Sequence, residues 1–176
     1  MPIEAITSAH RAGFGSTSVI FYGHVETAAE RVSHLRLLRE LQSAARASGS
    51  GGGFTEFVPI PLPGHGVALT EGRSALDEHR AMVAVSRLLL SGSISHIQIP
   101  WTRVGREAAA ELLRAGGDDL GGTLLDGRVR PDTGVEQGLE LPVKDASAIA
   151  ARLFRPFRLR TTDYREPAAG SGTGRA

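Results

Sequence analysis

The sequence predicts an α/β fold, a partial (βα) barrel of the TIM type with parallel strands and about four βα units. Two observations support this prediction. Short apolar, β-rich runs alternate along the chain with amphipathic helical patterns, which is typical of parallel sheets with helical crossovers. Polar residues follow the predicted strands, where βα folds place their working groups. The 176 residues are fewer than the roughly 250 of a complete barrel, so about half a barrel is expected.

The first half of the chain contains a predicted helix and two strand–helix units. An amphipathic helix over residues 3–11 precedes a strand over residues 19–22. Thr27 and Glu30 have the TxxE spacing of a capping box, which predicts the start of a long helix. After a Gly- and Ser-rich connector, a strand is predicted over residues 54–62. Strict alternation along that strand would place these side chains on one face: Phe54, Glu56, Val58 and Ile60.

The second half continues the alternation. A helix capped by Ser74 and ending by Gly92 is expected to bury Met82, Val85, Leu88 and Leu89. The elements predicted after it are a strand over 94–101, a helix over 103–115, a short strand over 118–125, a helix over 145–155 that carries Ile149, Leu153 and Phe154, and a short strand within 156–162. Residues 1–165 are predicted to form the half-barrel unit, and residues 166–176 a disordered tail.

Composition excludes several classes of function. The net charge of +1 gives no bulk field for nucleic acid or an anionic membrane, and the chain has no Cys for a disulfide or a thiolate metal site. No apolar stretch approaches the roughly 20 residues of a membrane-spanning helix, and the amino terminus does not resemble a signal peptide. We therefore expect a cytoplasmic protein that binds neither nucleic acid nor membrane.

Several ordered blocks together resemble one known family. The blocks TSVIFYGHVET, ERVSHLRLLRELQ, GGFTEFVPIPL, SISHIQIPWTRVG, AGGDDLGGTLLD and RLRTTDY resemble the C-terminal half of the radical-SAM FO synthase (7,8-didemethyl-8-hydroxy-5-deazariboflavin synthase) family. The chain is also similar to the menaquinone-pathway radical-SAM enzymes, which are built on the same barrel and act on a futalosine-type nucleoside.

The resemblance implies a reaction that this chain does not complete alone. In the family, S-adenosylmethionine and a 4Fe–4S cluster generate a deoxyadenosyl radical that fragments tyrosine, and a 4-hydroxybenzyl group adds to 5-amino-6-ribitylaminouracil. The cluster is held by CxxxCxxC, which is missing here, so this chain cannot ligate the cluster. The resemblance therefore implies a second polypeptide carrying the N-terminal half-barrel. A noncatalytic remnant or binding module is the alternative, and the exposed edge of the first strand predicts self-association.

The resemblance also assigns candidate site residues. Gly23 and Glu26 correspond to the GxxE that lies beside S-adenosylmethionine; on local chemistry alone they are equally a turn glycine and a helix-start acid. Residues with a substrate-binding role are His24, Glu56, Gln98, Asp119 and Gly121, each with a structural role as the alternative.

Other polar and aromatic residues are given a candidate role, a structural role or none. Trp101 is a candidate stacking face at the mouth of the barrel. No metal site is predicted, because the neighbours Asp118 and Asp119 should face opposite sides and the histidines lack ligand spacing. The arginines near the carboxyl terminus, Arg158, Arg160 and Arg165, are expected at the surface, although Arg160 lies in the RTT segment that could close the bottom of the barrel.

Overall fold

A computed structural model describes residues 2–62, 76–122 and 141–167 of the chain. Its sheet has three parallel strands in the order β1-β2-β3, which are β1 (Gly15–Tyr22), β2 (Gly53–Pro61) and β3 (His96–Ile97). The helices are α1 (Pro2–Arg11), α2 (Ala28–Ala47), α3 (Leu76–Leu90), α4 (Trp101–Arg114) and α5 (Val143–Arg152). The predicted α/β class with parallel strands is confirmed, and the arrangement is consistent with a partial TIM-type barrel.

The helices cover one face of the sheet. Tyr22 of β1 and Phe57 of β2 pack in one apolar cluster with Leu35 of α2 and Met82 of α3. Ile97 of β3 packs in a second cluster with Val83 of α3, Leu112 of α4 and Ile149 of α5. Burial of these side chains drives the sheet and helices together.

The opposite face of the sheet carries the residues that alternate with these. Thr17, Glu56 and His96 are register partners across the three strands, and Val19 and Phe21 continue the same face of β1. We call this face, defined by these five residues, the inner face.

A β-bulge changes the predicted facing of β2. The register advances between Ser16, opposite Phe54, and Thr17, opposite Glu56, so Thr55 has no partner in β1. The Thr55 hydroxyl instead donates to the Ser16 carbonyl at 3.2 Å. Phe54 consequently packs with Phe57 on the helix side. The prediction that Phe54 shares a face with Glu56 is therefore wrong.

The third and fourth predicted strands are shorter than expected. β3 has two residues, and Trp101 begins α4 directly after Pro100, whose fixed φ and missing N–H suit a helix start. The predicted fourth strand is reduced, within the described residues, to a bridge between Gln98 and Asp119. The strand expected within 156–162 is absent from that described segment, which follows an irregular path.

Two burial predictions and one helix boundary are also wrong. Met82 is buried in α3, but Val85 and Leu88 are exposed, because α3 packs through His79, Met82, Val83, Ser86 and Leu90 instead. Phe154 follows α5 with a positive φ of 54° and is 98% exposed. The helix ends at Arg152, so the predicted helical position of Phe154 is wrong.

The capping box at the start of α2 is confirmed. Thr27 Oγ1 accepts from the Glu30 N–H at 3.3 Å, and Glu30 Oε2 accepts from the Thr27 N–H at 2.7 Å.

No helix among the described residues is long and apolar enough to cross a membrane. The predicted Ser74 cap, residues 123–125 of the fourth strand and residues 168–176 of the tail lie outside the described residues.

Candidate functional site

The polar side chains predicted for the site form two separate groups. Gly23, His24 and Glu26 follow the carboxyl end of β1, whereas Glu56 lies in the first half of β2 on the inner face. Thr17, the neighbour of Glu56, precedes Gly23 by six positions in the sequence, which is roughly 20 Å of extended chain. The first group thus lies at the carboxyl end of β1, and the second group lies within the inner face.

Glu26 closes the turn after β1. Its Oε1 accepts from the Gly23 N–H at 2.6 Å and its Oε2 from the His24 N–H at 2.9 Å. Gly23 has φ 88°, which directs its N–H and that of His24 toward the same carboxylate. Arg31 of α2 adds a bond from its Nε to Oε1 at 2.8 Å.

This environment keeps Glu26 ionised. Burial opposes the charge, but the N–H donors of Gly23 and His24 and the Arg31 guanidinium outweigh that effect and lower its pKa to about 2. Arg31 also bonds Glu78 of α3 at 2.6 Å, so the turn is tied to two helices. Glu26 is therefore more than an acid complementing a helix dipole, because it organises the turn itself.

Tyr22 and His79 lie beneath this turn. The Tyr22 hydroxyl and His79 Nδ1 are 3.0 Å apart, and both side chains are buried. Burial, the largest effect, raises the pKa of Tyr22 and lowers the pKa of His79, so both favour their neutral forms. The pair is a satisfied structural contact below Gly23.

Glu56 is the most buried carboxylate described on the inner face, with 6% of its surface exposed. Thr17 Oγ1 donates to its Oε1 at 2.6 Å. Its Oε2 has no hydrogen-bond partner among the described residues. A half-satisfied carboxylate at such a depth is costly unless something else donates to it.

Asp119 is held by the segment that follows α5. Arg160 Nη2 forms a short ion pair with Asp119 Oδ2, and the Tyr164 hydroxyl donates to the same oxygen at 2.5 Å. The Gly121 N–H donates to Oδ1 at 2.7 Å. Burial is the first cause that raises the pKa of Tyr164, and the carboxylates of Asp119 and Glu56 raise it further. Tyr164 thus links the Glu56 and Asp119 carboxylates.

Asp118 points to other partners, as predicted for adjacent residues. Its Oδ1 accepts from Arg87 Nη2 at 2.6 Å and from the Ile97 N–H at 2.7 Å, and its Oδ2 is 2.8 Å from His96 Nδ1. The His96 ring stacks on Tyr164 at 3.8 Å between centroids. Within residues 2–62, 76–122 and 141–167, no group of three His, Asp or Glu side chains could hold a metal ion.

Gln98 and Gly121 lie close together beside Asp119. Gly121 has φ 72°, a conformation that favours glycine, and a Cβ at this position would lie 2.7 Å from Gln98 Nε2, so another residue would be strained and would displace the Gln98 side chain. The structure therefore gathers four of the predicted substrate residues, Glu56, Gln98, Asp119 and Gly121, and leaves His24 apart with Gly23 and Glu26.

Two sequence expectations about the site need correction, and one residue of the site was missed. Trp101 is buried in the core with α4 and presents no stacking face. Arg160 is not a surface residue, because its side chain is largely covered and pairs with Asp119. Tyr164 was not predicted at all. The RLRTTDY block contains both residues, but only the long-range fold shows that they reach the inner face.

A groove among the described residues lies away from both polar groups. It has a volume of about 490 Å³ and is lined at the amino-terminal end of the strands by Gly15, Gln42, Arg46, Gly53 and Thr55. Arg46 is already bonded to the carbonyls of Gly92 and Ser93 at 2.6 Å. This groove therefore does not coincide with either polar group.

Comparison with known proteins identifies the family. The family described as CofH/MqnC C-terminal region matches residues 51–169, which include Glu56, Asp119 and the RLRTTDY block. The chain belongs to the CofH/MqnC C-terminal region family. This confirms the predicted resemblance to the C-terminal half of the FO synthases.

Alignments with curated relatives cover nearly the whole of this chain. FO synthase of Mycobacterium tuberculosis is 38% identical over 167 residues, and that of Streptomyces coelicolor is 39% identical over 167 residues; each alignment covers 92% of this chain and 19% of the relative. A 5-amino-6-(D-ribitylamino)uracil–L-tyrosine 4-hydroxyphenyl transferase of Methanosarcina barkeri is 36% identical over 171 residues, covering 93% of this chain and 44% of the relative. The chain thus spans about a fifth to under a half of the relatives it matches.

Of the two cofactors implied by the FO synthase family, one is compatible with this chain and the other is not. A Cβ at Gly23 would meet no atom within 4 Å, so a ligand has room to approach the backbone beside Glu26. S-adenosylmethionine is therefore compatible with the turn after β1. An iron–sulfur cluster is not compatible with this chain, because the sequence has no cysteine to ligate it.

Proposed function

We propose that this chain forms the substrate-binding part of a transferase that joins a tyrosine-derived 4-hydroxybenzyl group to 5-amino-6-(D-ribitylamino)uracil, in the formation of a deazaflavin precursor. The names of the relatives support this substrate pair. The observation that carries the proposal is the convergence of Glu56, Gln98 and Asp119 on the side of the sheet away from the helices. A few convergent polar groups in a partly apolar setting are the usual pattern of a small-molecule site.

The two polar groups of the site are proposed to have different roles. Glu56, Gln98, Asp119 and Gly121 bind the substrates within the half-barrel. Gly23 and Glu26, with His24 beside them, face S-adenosylmethionine, which supplies radical chemistry when bound together with a cluster. Glu26 Oε1 is occupied by the Gly23 N–H and by Arg31, so the capacity left for this role is on Oε2, which accepts from the His24 N–H.

The cluster has to come from another polypeptide. The chain has no cysteine and so offers no thiolate to ligate a cluster. The partner that we propose is a half-barrel carrying CxxxCxxC.

Anaerobic complementation tests this function. The chain is reconstituted with iron and sulfide, alone and together with a separately expressed CxxxCxxC polypeptide from a relative, and given S-adenosylmethionine, tyrosine and the diaminouracil. We expect deoxyadenosine and a tyrosine–uracil adduct only when both polypeptides are present. The full-length Methanosarcina barkeri transferase is the positive control.

Two other outcomes identify the alternatives. Substrate binding without turnover in any combination would support a noncatalytic binding module. Turnover of a futalosine-type nucleoside in place of the diaminouracil would support the menaquinone-pathway function, which the inclusion of MqnC in the family description keeps as the second candidate.

A further inference from the structure

Arg31 lies at a position in α2 that the helix itself does not favour. The helix begins at Ala28, so this side chain lies near the positive end of the helix dipole, where a cation is disfavoured. It is nonetheless largely buried, with 13% of its surface exposed. Burial would lower the pKa of Arg31, but hydrogen bonds to Glu78 and Glu26 raise it. These two carboxylates therefore compensate for the unfavourable position.

The Arg31 guanidinium is divided between the two carboxylates. Its Nε and Nη2 both approach Oε1 of Glu26, at 2.8 and 2.7 Å, and Nη2 also donates to Glu78 Oε1 at 2.6 Å. An arginine–carboxylate pair frequently forms two parallel bonds, one to each oxygen. Here Nη2 is shared with Glu78, which lies in the first turn of α3, and Arg31 bonds Glu26 through Oε1.

An aromatic contact adds to the position of the guanidinium. Its central carbon lies 5.2 Å from the centroid of the Tyr22 ring, which is a cation–π distance. Tyr22 directly precedes Gly23, and its hydroxyl is 3.0 Å from Nδ1 of His79, the residue after Glu78. The end of β1, the turn that follows it and the start of α3 therefore meet at Arg31.

The remaining hydrogen-bonding capacity of Glu26 lies on Oε2. This oxygen accepts from the His24 N–H at 2.9 Å and can accept from one more donor. The Glu26 side chain is 21% exposed, and the backbone at Gly23 is open, since an added Cβ there would meet no atom within 4 Å. A ligand hydroxyl or ammonium group therefore has both space and an acceptor at this turn.

We propose that Arg31 is a positioning residue for S-adenosylmethionine: shared between Glu26 and Glu78, it holds Glu26 by Oε1 and keeps Oε2 open to a hydroxyl or ammonium donor of the ligand. Glu78 takes part by holding Nη2, because without Glu78 the guanidinium can turn onto both oxygens of Glu26. This inference rests on the proposed function, in which Glu26 faces S-adenosylmethionine, and adds the two residues that prepare the carboxylate.

Equilibrium binding to the full chain, alone and with the CxxxCxxC polypeptide, tests the assignment. The probes are S-adenosylmethionine, S-adenosylhomocysteine and adenosine. We expect Glu78→Gln to weaken binding of the first two by roughly 10-fold, the lower end for a hydrogen bond to a charged group. Arg31→Lys keeps the charge but loses the planar fork, so it should weaken binding similarly. An equal loss for adenosine assigns the donor to a ribose hydroxyl, and no loss for adenosine assigns it to the ammonium group.

The matched control for Glu78→Gln is Asp77→Asn. Asp77 directly precedes Glu78, and its side chain is 91% exposed with Arg80 as its ion-pair partner. Loss of this charge should leave the binding of every probe unchanged. S-adenosylhomocysteine has the same hydroxyl and ammonium donors as S-adenosylmethionine but lacks the sulfonium charge. Its weakened binding would therefore separate a lost hydrogen bond from a lost charge attraction.

A double variant tests whether Glu78 acts through Glu26. Because Glu26→Gln already removes the charged acceptor, the addition of Glu78→Gln should cost little further affinity. A purely structural clamp predicts a different result. The free energy of unfolding would then fall in Arg31→Lys and Glu78→Gln, while the affinity of the folded protein stayed at the native value. Urea unfolding of the same variants gives this comparison.

The outcomes separate this inference from the proposed function. If the native chain, Arg31→Lys and Glu78→Gln bound S-adenosylmethionine equally, the inference would be overturned and the function would stand. Additive losses in the double variant, losses confined to S-adenosylmethionine, or losses matched by Asp77→Asn would also overturn it. Failure of the native chain to bind any probe, alone or with the CxxxCxxC polypeptide, would contradict the proposed role of Glu26 itself and the inference with it.

Discussion

Glu26 shows how one side chain organises the turn after β1. Two backbone N–H groups and the Arg31 guanidinium converge on its carboxylate. Such charge-assisted bonds are stronger than neutral ones, and the carboxylate must be ionised to accept them all. The turn is therefore coupled to pH through this residue.

Glu26 should contribute stability that disappears in acid. Its pKa falls from an ordinary value of 4.5 in the unfolded chain to about 2 in the folded chain. The contribution is complete above pH 4.5 and is lost as the pH falls toward 2. We expect Glu26→Gln to lower the free energy of unfolding by about 1–2 kcal/mol at neutral pH and by progressively less below pH 4.5. Urea unfolding across this range measures the difference.

The control is Glu40→Gln, which changes an exposed carboxylate on α2. It should leave the free energy of unfolding nearly unaltered at neutral pH. A Glu26→Gln difference that stays constant from pH 7 to pH 2 would show that Glu26 does not carry the ionised contacts described here.

The two tyrosines of the chain should both resist ionisation. Burial raises the pKa of Tyr22 and of Tyr164, and the Asp119 and Glu56 carboxylates add to the effect on Tyr164. At pH 10 we expect the native protein to show almost no phenolate absorbance, whereas the urea-unfolded chain should be about half ionised. Spectrophotometric titration measures this. If one tyrosine of the native protein ionised with an ordinary pKa while the pKa of the other was raised, the buried environment described for the first tyrosine would be wrong.

At the scale of elements, α2 is the best defined by its sequence. Its TxxE signal is local, and the structure forms both hydrogen bonds of the capping box. The cap satisfies backbone N–H groups that the first turn would otherwise leave unpaired.

Removal of the cap should therefore destabilise the protein. We expect Thr27→Ala to lower the free energy of unfolding by about 1 kcal/mol. Ser33→Ala, an exposed substitution within the same helix, is the matched control and should be neutral or slightly stabilising because alanine has the higher helix propensity. Chemical denaturation of the three proteins gives the comparison; equal losses in the two variants would argue that the cap contributes nothing specific.

Elements set by long-range contacts were predicted less well. Alternating residues after Ile94 indicated a long third strand, but Pro100 begins a helix and leaves two strand residues. Nothing in the residues around Thr55 signals the bulge, because it depends on the register with β1. The partners of Asp119 lie 41 and 45 positions later in the chain, at Arg160 and Tyr164. Local patterns therefore identified Glu56 and Asp119 as candidates but not the segment that joins them.

At the scale of the whole molecule, β1 is an edge strand of the sheet that the described residues form. β1 pairs with β2 on one side, and its inner-face residues Val19 and Phe21 are 43% and 56% exposed. An unpaired edge with exposed apolar side chains favours strand pairing with another chain. A second copy is the simplest such partner for the isolated protein.

Charge on this edge should suppress self-association. We expect Val19→Lys with Phe21→Lys to shift the protein toward monomer at concentrations where the native chain associates. Leu88→Lys alters an apolar residue on the outer surface of α3 that is 78% exposed and should leave association unchanged. Sedimentation velocity over a concentration series measures the effect; loss of association in Leu88→Lys alone would place the contact on the helices.

The central claim is that this chain binds the substrates for joining tyrosine to a diaminouracil. The most direct test is transfer of label from ring-labelled tyrosine to the uracil product, measured by mass spectrometry in the anaerobic two-polypeptide reaction. The account predicts labelled product from the native chain with the CxxxCxxC polypeptide, and at least about tenfold less from Glu56→Gln. Absence of labelled product with the native chain, while the full-length transferase produces it under the same conditions, would contradict the account.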